Sequence, residues 1–451
     1  MGAWGKPKKP DPPQALFLGC LARGPSYTSY VHLGRGAGEL GEAGLRGEPF
    51  ARDPWTRSGQ CRRGEFDLGS GATAHSQSYD VAVIGGGVIG LSIAWRLAGS
   101  GASVAIVDDE PGKGASWAAA GLLAPVTEVQ PGERDLLRLS LESASLWADF
   151  AAELAETSGV QPGYRRCGTL CVAADSDQRV ELDELHRFQL SLGLEAVRLG
   201  PRETRALEPA LSPRIQGGIL VPGDHQVDNR ALVDALVTAC ERSGVTFERR
   251  RATGVALDGD GVGGVSFHDG GMIASRRVVV AAGCWSAALE GLSSGGSLPV
   301  RPVKGQLLHL RARGGVQPIR NIKGQHVYVV TRPDGRIVVG ATVEEQGFDA
   351  SVTAGAVLRL LESSYELLPA IAEAELVETV AGWRPGTPDN LPILGQGRTP
   401  GIFFATGHYR NGVLLVPVTA ALVSDAVLGR GEPDRLRPFS PDRFGVRAGA
   451  L

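Results

Sequence analysis

Three glycines and two aspartates lie where a nucleotide-binding turn would need them. Gly85, Gly87 and Gly90 form a G-x-G-x-x-G pattern between a short apolar run and an apolar helix pattern. The first glycine permits a tight turn, the second lets the backbone approach a pyrophosphate, and the third lets helix and strand pack closely. Asp108 and Asp109 end the next apolar run, where a carboxylate accepts hydrogen bonds from an adenosine ribose. These residues predict a dinucleotide site rather than a glycine-rich turn of another α/β protein.

The pattern of apolar residues predicts the elements that carry this site. Residues 81–84 and 104–107 predict buried strands, and the apolar stretch between them predicts a helix, which together make one βαβ unit. Pro333, Asp334 and Gly335 predict a hairpin turn between two later strands. The further predicted helices span residues 132–157, 175–192, 230–243, 355–368 and 413–428, and the further predicted strands span residues 168–173, 276–283, 327–331, 336–341 and 401–406.

Composition and charge limit the kinds of partner. The 451 residues include 46 Lys and Arg against 49 Asp and Glu, so no basic field favours nucleic acid or an anionic membrane. No apolar run approaches the roughly 18 residues that span a bilayer, and we expect a cytoplasmic protein. The six cysteines form no Cys-x-x-Cys pair and the eight histidines show no HxxxH or HxH spacing. We therefore predict buried thiols and no metal site.

The first 77 residues differ in composition from the rest. They are rich in Gly, Pro and Arg and show no sustained apolar periodicity, which predicts a disordered leader. A second interpretation is that this segment is not translated. Permitted codons for residues 36–37, 45–46 and 56–62 give strings, in that order, that resemble the RNA that senses thiamine pyrophosphate upstream of thiamine genes. The N-terminal peptide of the native protein distinguishes the two interpretations, because a start codon placed too early would leave residues 1–60 out of it.

Further segments resemble one enzyme family. Residues 114–125 (GASWAAAGLLAP) resemble the second flavin motif of the glycine oxidase and D-amino-acid oxidase family, and residues 278–286 (VVVAAGCWS) resemble its third nucleotide motif. The segments YVVTRPDGRIVVGAT, AGWRPGTPDNLPILG and ATGHYRNGVLLVP then follow in the family's order, so the match runs from about Asp80 to Leu428. ASWAAAG and GHYRNG are most similar to the glycine oxidases of the thiamine pathway.

The resemblance implies an enzyme that binds FAD without a covalent link. In such enzymes FAD takes a hydride from the α-carbon of a small amine, the imine hydrolyses, and the reduced flavin passes its electrons to O2, which forms H2O2. The related monomeric sarcosine oxidases tether the flavin through a cysteine near the C-terminal motif, but no cysteine follows Cys284 here. Besides the glycines and aspartates named above, the implied cofactor-binding residues are Val88, Ile89, Ala115, Ser116, Ala120, Gly121, Leu122, Ala252, Gly283, His408, Tyr409, Arg410, Asn411, Gly412, Val413 and Leu414.

Three residues are implied to act on the substrate. Arg384 matches the family's carboxylate-binding arginine, and a guanidinium binds a carboxylate through two parallel hydrogen bonds. Tyr328 matches the family tyrosine whose hydroxyl contacts substrate, although a strand tyrosine is also a common core residue. Arg410 is implied to lie near the substrate, where positive potential would stabilise the reduced flavin. For His408 we favour a packed loop histidine over a catalytic base. Val343 stands where close relatives carry a larger pocket side chain.

The layout and the resemblance together predict an α/β fold with two domains. A Rossmann-type FAD-binding domain is built from discontinuous segments, residues 78–165, 226–293 and 378–430. An antiparallel-sheet substrate domain, residues 166–225 and 294–377, is inserted between them. Residues 431–451, which include several prolines and charges, are predicted to form a loose C-terminal tail.

The predicted function is FAD-dependent oxidative deamination of glycine that serves thiamine thiazole synthesis. Sarcosine and small D-amino acids are further candidate substrates. One alternative is a dehydrogenase of the same fold that passes electrons to an acceptor other than O2. Another alternative is a non-catalytic FAD-binding subunit, and a homo-oligomer is one expectation for the assembly.

Overall fold

The computed structural model describes residues 78–259, 261–292, 298–315, 317–431 and 433–444. The predicted leader, residues 1–77, lies outside the described residues together with its two interpretations. All described residues belong to one unit, which spans residues 73–451.

The described residues form eighteen strands and nine α-helices, and most of the predicted elements are found within a few residues of their predicted bounds. The strands are β1 Ser78–Ile84, β2 Val104–Val107, β3 Leu122–Leu123, β4 Thr169–Ala173, β5 Val197–Leu199, β6 Gly217–Val221, β7 His225–Gln226, β8 Thr246–Glu248, β9 Ala252–Asp258, β10 Gly261–Phe267, β11 Met272–Val280, β12 Arg301–Arg311, β13 Asn321–Lys323, β14 Tyr328–Thr331, β15 Arg336–Gly340, β16 Glu375–Gly386, β17 Ile393–Gln396 and β18 Ile402–Thr406. The helices are α1 Val88–Gly99, α2 Ala115–Ala118, α3 Arg134–Ser158, α4 Ser176–Ser191, α5 Pro201–Leu207, α6 Asn229–Arg242, α7 Ala354–Leu367, α8 Val416–Leu428 and α9 Pro433–Leu436.

The glycine motif lies in a mostly parallel sheet, which we call the nucleotide sheet. Its strand order is β17-β18-β11-β1-β2-β8, and β10 and β9 extend from β11 as an antiparallel addition. β1 pairs in parallel with both β2 and β11. Helices α1, α3, α6 and α8 cover one face of these strands, and residues of β9 and β10 cover the other. Burial on both faces explains why β1 and β2 read as continuous apolar runs rather than alternating ones.

A second, largely antiparallel sheet carries the predicted substrate residues, and we call it the substrate sheet. Its strand order is β16-β12-β15-β14-β13-β4-β6-β5. β14 and β15 form the predicted hairpin, with Gly335 in the left-handed conformation (φ +85°) that the turn requires. Leu360 and Leu367 of α7 pack in the core of this sheet. The predicted α/β fold class, with one Rossmann-type and one antiparallel sheet, is confirmed.

The division of residues between two domains stays a prediction, and one of its boundaries disagrees with the sheet pairing. A boundary at residue 378 cuts β16, which pairs with β12 from Arg301 opposite Gly386 to Arg311 opposite Glu375. Because β16 continues the substrate sheet to its last residue, we propose that the third nucleotide-binding segment begins after Gly386.

The expectation of a loose C-terminal tail is wrong for residues 433–444. Leu436 and Phe439 are buried and belong to the core beneath α1 and α8. Arg443 fixes the segment by donating to Asp389 through both Nε (2.8 Å) and Nη2 (3.2 Å). The prolines and charges suggested a solvated end, but two apolar side chains between them are enough to dock it.

Candidate active site

A cavity of about 1120 Å³ brings the predicted nucleotide residues and the predicted substrate residues together. Ligand pockets usually measure about 300–1000 Å³, so this cavity has room for a dinucleotide beside a small substrate. Asp108 of the nucleotide sheet and Arg384 of the substrate sheet both line it. The predicted site residues in its wall are Gly85, Gly87, Val88, Ile89, Asp108, Asp109, Ala115, Ser116, Ala120, Gly121, Leu122, Ala252, Gly283, Tyr328, Arg384, His408, Tyr409, Arg410, Asn411, Gly412 and Val413.

Two predicted cofactor residues, Gly90 and Leu414, do not lie in this wall. A Cβ on Gly90 would sit 1.9 Å from the Gly85 carbonyl oxygen, so Gly90 serves the close packing of α1 on β1. Leu414 is buried in the core, and its carbonyl accepts hydrogen bonds from Ser143 Oγ (2.7 Å) and Trp147 Nε1 (2.8 Å). The last helix begins at residue 416 rather than directly after residue 412, and the intervening turn carries Leu414 inward.

The glycine turn leaves bare backbone toward the cavity. Gly85 adopts φ +108°, and a Cβ there would lie 2.4 Å from the Ala281 carbonyl oxygen. A Cβ on Gly87 would lie 3.2 Å from Ser116 Oγ. That hydroxyl also accepts the Val88 N–H (3.0 Å) at the start of α1. A pyrophosphate can therefore approach the Gly87 backbone and the N-terminus of α1, as the motif predicted.

Asp108 organises this turn as well as facing the cavity. Its Oδ2 accepts the Gly86 N–H at 2.6 Å and its Oδ1 accepts the Glu110 N–H at 2.8 Å. Burial raises the pKa of Asp108, while these two N–H groups oppose the rise. Each carboxylate oxygen retains acceptor capacity, because an ionised carboxylate offers about four lone-pair positions. This geometry suits the predicted bond to a ribose hydroxyl.

The second flavin motif is tied to β7 and to the start of α6. β3 pairs with β7, with Leu122 opposite Gln226. A Cβ on Gly121 would lie 2.0 Å from the Val227 carbonyl oxygen, and the Val227 N–H donates to the Gly121 carbonyl at 2.8 Å. Asn229 Nδ2 donates to the Ser116 carbonyl at 2.9 Å. The segment from residue 115 to residue 122 is therefore held from behind while its other face lines the cavity.

Arg384 reaches the cavity from β16 through space that a glycine provides. Gly305 lies in the neighbouring strand β12, opposite Gly382 of β16. A Cβ on Gly305 would lie 2.4 Å from Arg384 Nη1. Nη1 donates to the Thr342 carbonyl at 3.1 Å and to the Lys304 carbonyl at 3.5 Å. Among the described residues, no carboxylate lies within 4.0 Å of this guanidinium. Its charge is therefore available to an anion in the cavity.

Tyr328 is the neighbour of this guanidinium. A Cβ on Gly340, directly opposite in β15, would lie 2.5 Å from the Tyr328 hydroxyl, so a second glycine makes room for a functional side chain. Burial raises the pKa of Tyr328 to about 12, although the adjacent Arg384 opposes the rise. The phenol is protonated at neutral pH and can donate a hydrogen bond.

An ionic cluster that has no local signal in the sequence lies beside these residues. Lys323 bonds to Glu128 and donates to the Thr127 carbonyl at 2.7 Å. Arg410 bonds to Glu133, and its Nε lies 3.7 Å from Glu128. Burial raises the pKa of Glu128, but the charge of Lys323, helped by Arg410, outweighs burial and lowers the pKa overall. Arg410 lines the cavity as predicted, but its charge is already compensated.

His408 is placed as a packed loop histidine. Its side chain is 3% exposed, and its Nε2 lies 3.1 Å from Thr419 Oγ1 on α8. Burial lowers the pKa of His408 to about 3, so the ring is neutral at physiological pH. A ring that already bonds to α8 is poorly placed to act as a base, which agrees with the interpretation that we favour.

An aromatic cluster forms another part of the wall. Trp285 stacks on Phe348 with ring centroids 5.5 Å apart, and Trp383 meets both rings edge-on at 6.1 and 5.9 Å. Trp285 and Trp383 line the cavity. Val343 also lines it and is 66% exposed, so the small side chain at this position leaves the wall open there.

The described residues hold no cluster of His, Cys, Asp and Glu that is suited to a metal ion. Cys171, Cys240 and Cys284 are buried, whereas Cys167 is half-buried, and all four are free thiols. Within the same ranges, no helix combines the length and the apolar character needed to cross a membrane.

The chain is similar to known FAD-dependent proteins in both sequence and structure. The sequence matches the family described as FAD dependent oxidoreductase (DAO) over residues 80–426. A glycine oxidase of Geobacillus kaustophilus is 36% identical over 375 residues, which cover 82% of this chain and 98% of that protein. The crystal structure of glycine oxidase from the same organism matches with a TM-score of 0.75 at 35% identity, covering 83% of this chain and 100% of that chain.

Two further relatives carry other names. A bifunctional protein ThiO/ThiG of Nostoc sp. is 34% identical over 378 residues, which cover 82% of this chain and 56% of that protein. The hydrogen cyanide synthase subunit HcnC of Pseudomonas aeruginosa is 31% identical over 412 residues, which cover 83% of this chain and 99% of that protein.

Proposed function

Because this chain belongs to the FAD dependent oxidoreductase (DAO) family, it is an FAD-dependent enzyme, and we propose that it oxidises glycine at the expense of O2. The overall reaction converts glycine, O2 and water into glyoxylate, ammonia and H2O2. The name of the Geobacillus kaustophilus relative, glycine oxidase, supports this substrate and this acceptor. The chain has no cysteine after residue 284, which supports non-covalent binding of FAD.

The observation that carries the proposal is the guanidinium of Arg384, which lacks a carboxylate partner among the described residues. The neighbouring cations Lys323 and Arg410 are each paired with a glutamate. Arg384 instead donates to two main-chain carbonyls. This part of the cavity thus offers one available positive charge, which suits a substrate with a single carboxylate such as glycine.

FAD, when bound in this cavity, would supply the acceptor for a hydride from the α-carbon of the substrate. Arg384 holds the substrate carboxylate, and the protonated hydroxyl of Tyr328 donates a further hydrogen bond to it. The neutral ring of His408 stays on Thr419, so the chain supplies no base at that position. Hydride transfer needs none when the amine arrives neutral. The protein's contribution is orientation, which is a large part of catalysis by a bound cofactor.

The test uses the purified, flavin-loaded protein with a panel of glycine, sarcosine, D-alanine and D-proline. Flavin bleaching without oxygen measures hydride transfer, and peroxide formation in air measures the acceptor. Rapid bleaching by glycine with stoichiometric peroxide supports the proposal. Bleaching without peroxide, with rapid reoxidation by an artificial acceptor, favours a dehydrogenase of the same fold. No bleaching by any of the four would favour a non-catalytic subunit.

The relative named hydrogen cyanide synthase subunit HcnC is a specific reason to keep these alternatives in the test. The alignment covers 99% of that protein, which is named as a subunit rather than as a complete enzyme. The presence of both Arg384 and Tyr328 in the cavity wall argues against a purely structural role for this chain.

We propose further that the product serves thiamine thiazole synthesis. The ThiO/ThiG relative supports this role. The codon strings permitted by residues 36–37, 45–46 and 56–62, which resemble the RNA that senses thiamine pyrophosphate, support it as well. Deletion of the gene should then create a growth requirement that thiazole relieves. Growth without thiazole after the deletion would count against this role while leaving glycine oxidation untouched. The cytoplasm stays our prediction for the location of the enzyme, and a homo-oligomer stays one expectation.

A further inference from the structure

A buried cation lies one layer behind the cavity wall, outside the residues that the mechanism uses. Arg332 follows β14 at the hairpin turn and is 3% exposed. Its Nη2 donates to the Ala120 carbonyl at 2.7 Å, and its Nη1 donates to Gln226 Oε1. A Cβ on Gly121 would come within 3.1 Å of the same Nη2. The guanidinium therefore lies directly against the backbone of the second flavin motif.

This cation has no ion-pair partner among the described residues. Its strongest attractive charge is Asp228, but that carboxylate accepts a hydrogen bond from Arg336 Nη2 at 2.5 Å. Burial lowers the pKa of Arg332 to about 10, which still leaves it charged at neutral pH. An unpaired buried charge is unfavourable for folding. Its position is explained if the charge acts on something that binds in the cavity.

The part of the cavity wall that Arg332 contacts lies on the same side of the cavity as Tyr328. Ala120 belongs to a small apolar cluster against which Leu122, Tyr328 and Ala341 pack. Ala120, Leu122 and Tyr328 all line the cavity. Since the amine must meet the flavin beside Tyr328 and Arg384, the reacting ring of FAD belongs at this side. The ring gains negative charge when it is reduced, and a fixed positive charge behind the wall would stabilise that charge.

We propose that Arg332 is a positioning residue for FAD, which fixes residues 120–122 against the cofactor and stabilises the negative charge of the reduced flavin. Arg332 contacts the cavity wall and not the cavity, so it acts through the main chain of Ala120 and through its field. The inference depends on FAD binding in this cavity, as the proposed function does, but it does not depend on glycine being the substrate.

The test compares Arg332→Met and Arg332→Lys with the control Arg313→Met. Arg313 is an exposed arginine that pairs with Glu375, and it neither lines the cavity nor bonds to Asp228. Two readouts need no substrate: the dissociation constant of FAD from titration of the apoprotein, and the dissociation constant of sulfite, which adds more readily to flavins whose negative charge the protein stabilises. Arg332→Met is expected to weaken both at least about tenfold, whereas Arg313→Met leaves both within about twofold.

Arg332→Lys separates the two parts of the proposal. A lysine keeps the charge but cannot serve both Gln226 and Ala120 with a rigid fork, so FAD affinity should fall while sulfite affinity stays near that of wild type. Should Arg332→Met fail to fold, Arg332→Lys still tests positioning, and Arg332→Gln, which keeps hydrogen-bonding capacity without the charge, takes its place in the sulfite measurement. An FAD affinity equal to the control overturns positioning, and a sulfite affinity of Arg332→Met equal to the control overturns the electrostatic part. Failure of glycine to bleach a flavin that still binds sulfite would instead refute the proposed function.

Discussion

Arg384→Ala should lower kcat/KM for glycine about 100- to 1000-fold without loss of FAD. Arg384 Nη1 donates to two main-chain carbonyls, at 3.1 and 3.5 Å, and the guanidinium also bonds to the Tyr328 hydroxyl, which leaves two of its five N–H groups for a substrate carboxylate. Hydrogen bonds to a charged group contribute about 1.5–3 kcal/mol each. Because Tyr328 remains and water can fill the space, we take a net loss of about 3–4 kcal/mol, and each 1.4 kcal/mol corresponds to roughly one factor of ten.

The assay follows peroxide formation over a wide range of glycine concentrations, together with the absorption spectrum of the bound flavin. Most of the effect should appear as a higher KM, because the carboxylate contact is present before the transition state as well as in it. Arg384→Lys, which keeps the charge without the planar fork, should fall in between. Arg313→Ala, an exposed arginine at the edge of the same sheet region, is the control. A KM within threefold of wild type, with the flavin spectrum unchanged, would remove Arg384 from the substrate site.

Three further outcomes are expected. Gly305→Ala should raise the KM for glycine while FAD affinity is unchanged, because its Cβ would lie 2.4 Å from Arg384 Nη1. The control is Gly99→Ala, whose Cβ would meet no atom within 4 Å. Equal KM values in the two variants would contradict the reasoning. Asp108→Ala should weaken FAD binding by about tenfold or more in apoprotein titrations, with turnover of the loaded enzyme preserved, since the loss is one or two charge-assisted hydrogen bonds. Burial raises the pKa of Asp224 to about 6 from the ordinary 3.8. Between pH 6 and pH 4 the folded protein therefore binds a proton that the unfolded chain does not bind. The free energy of unfolding should rise as pH falls through this range, by at most about 3 kcal/mol from this group. Urea unfolding at several pH values should show that Asp224→Asn lacks this increment; an identical pH dependence in both proteins would refute it.

The nucleotide half of the site was readable from the sequence because its signals are local. Gly85, Gly87 and Asp108 lie within one βαβ unit, where motif spacing fixes their positions relative to each other. The hairpin at residues 333–335 was readable for the same reason, since turn chemistry depends on three adjacent residues. Leu414 shows the limit of this reasoning, because a helix that starts a few residues later turns the preceding backbone toward the core.

The ionic cluster was not readable because its members are distant along the chain. Lys323 and Glu128 are 195 residues apart, and Arg410 and Glu133 are 277 apart. Their contacts depend on the order of strands in the substrate sheet, in which β13 pairs in parallel with β4. Such pairings leave no periodic trace in a single sequence. The glycines Gly305 and Gly340 were potential signals, because a strand glycine often marks the close approach of another group.

The aromatic cluster gives the cavity a built-in optical reporter. Trp285 and Trp383 lie in the wall, and the emission of indole overlaps the absorption of oxidised flavin. Energy transfer to a bound isoalloxazine should quench the fluorescence of these two tryptophans, and departure of the cofactor should restore it. Uptake and release of FAD can therefore be timed in the unlabelled protein, even in variants that no longer turn over.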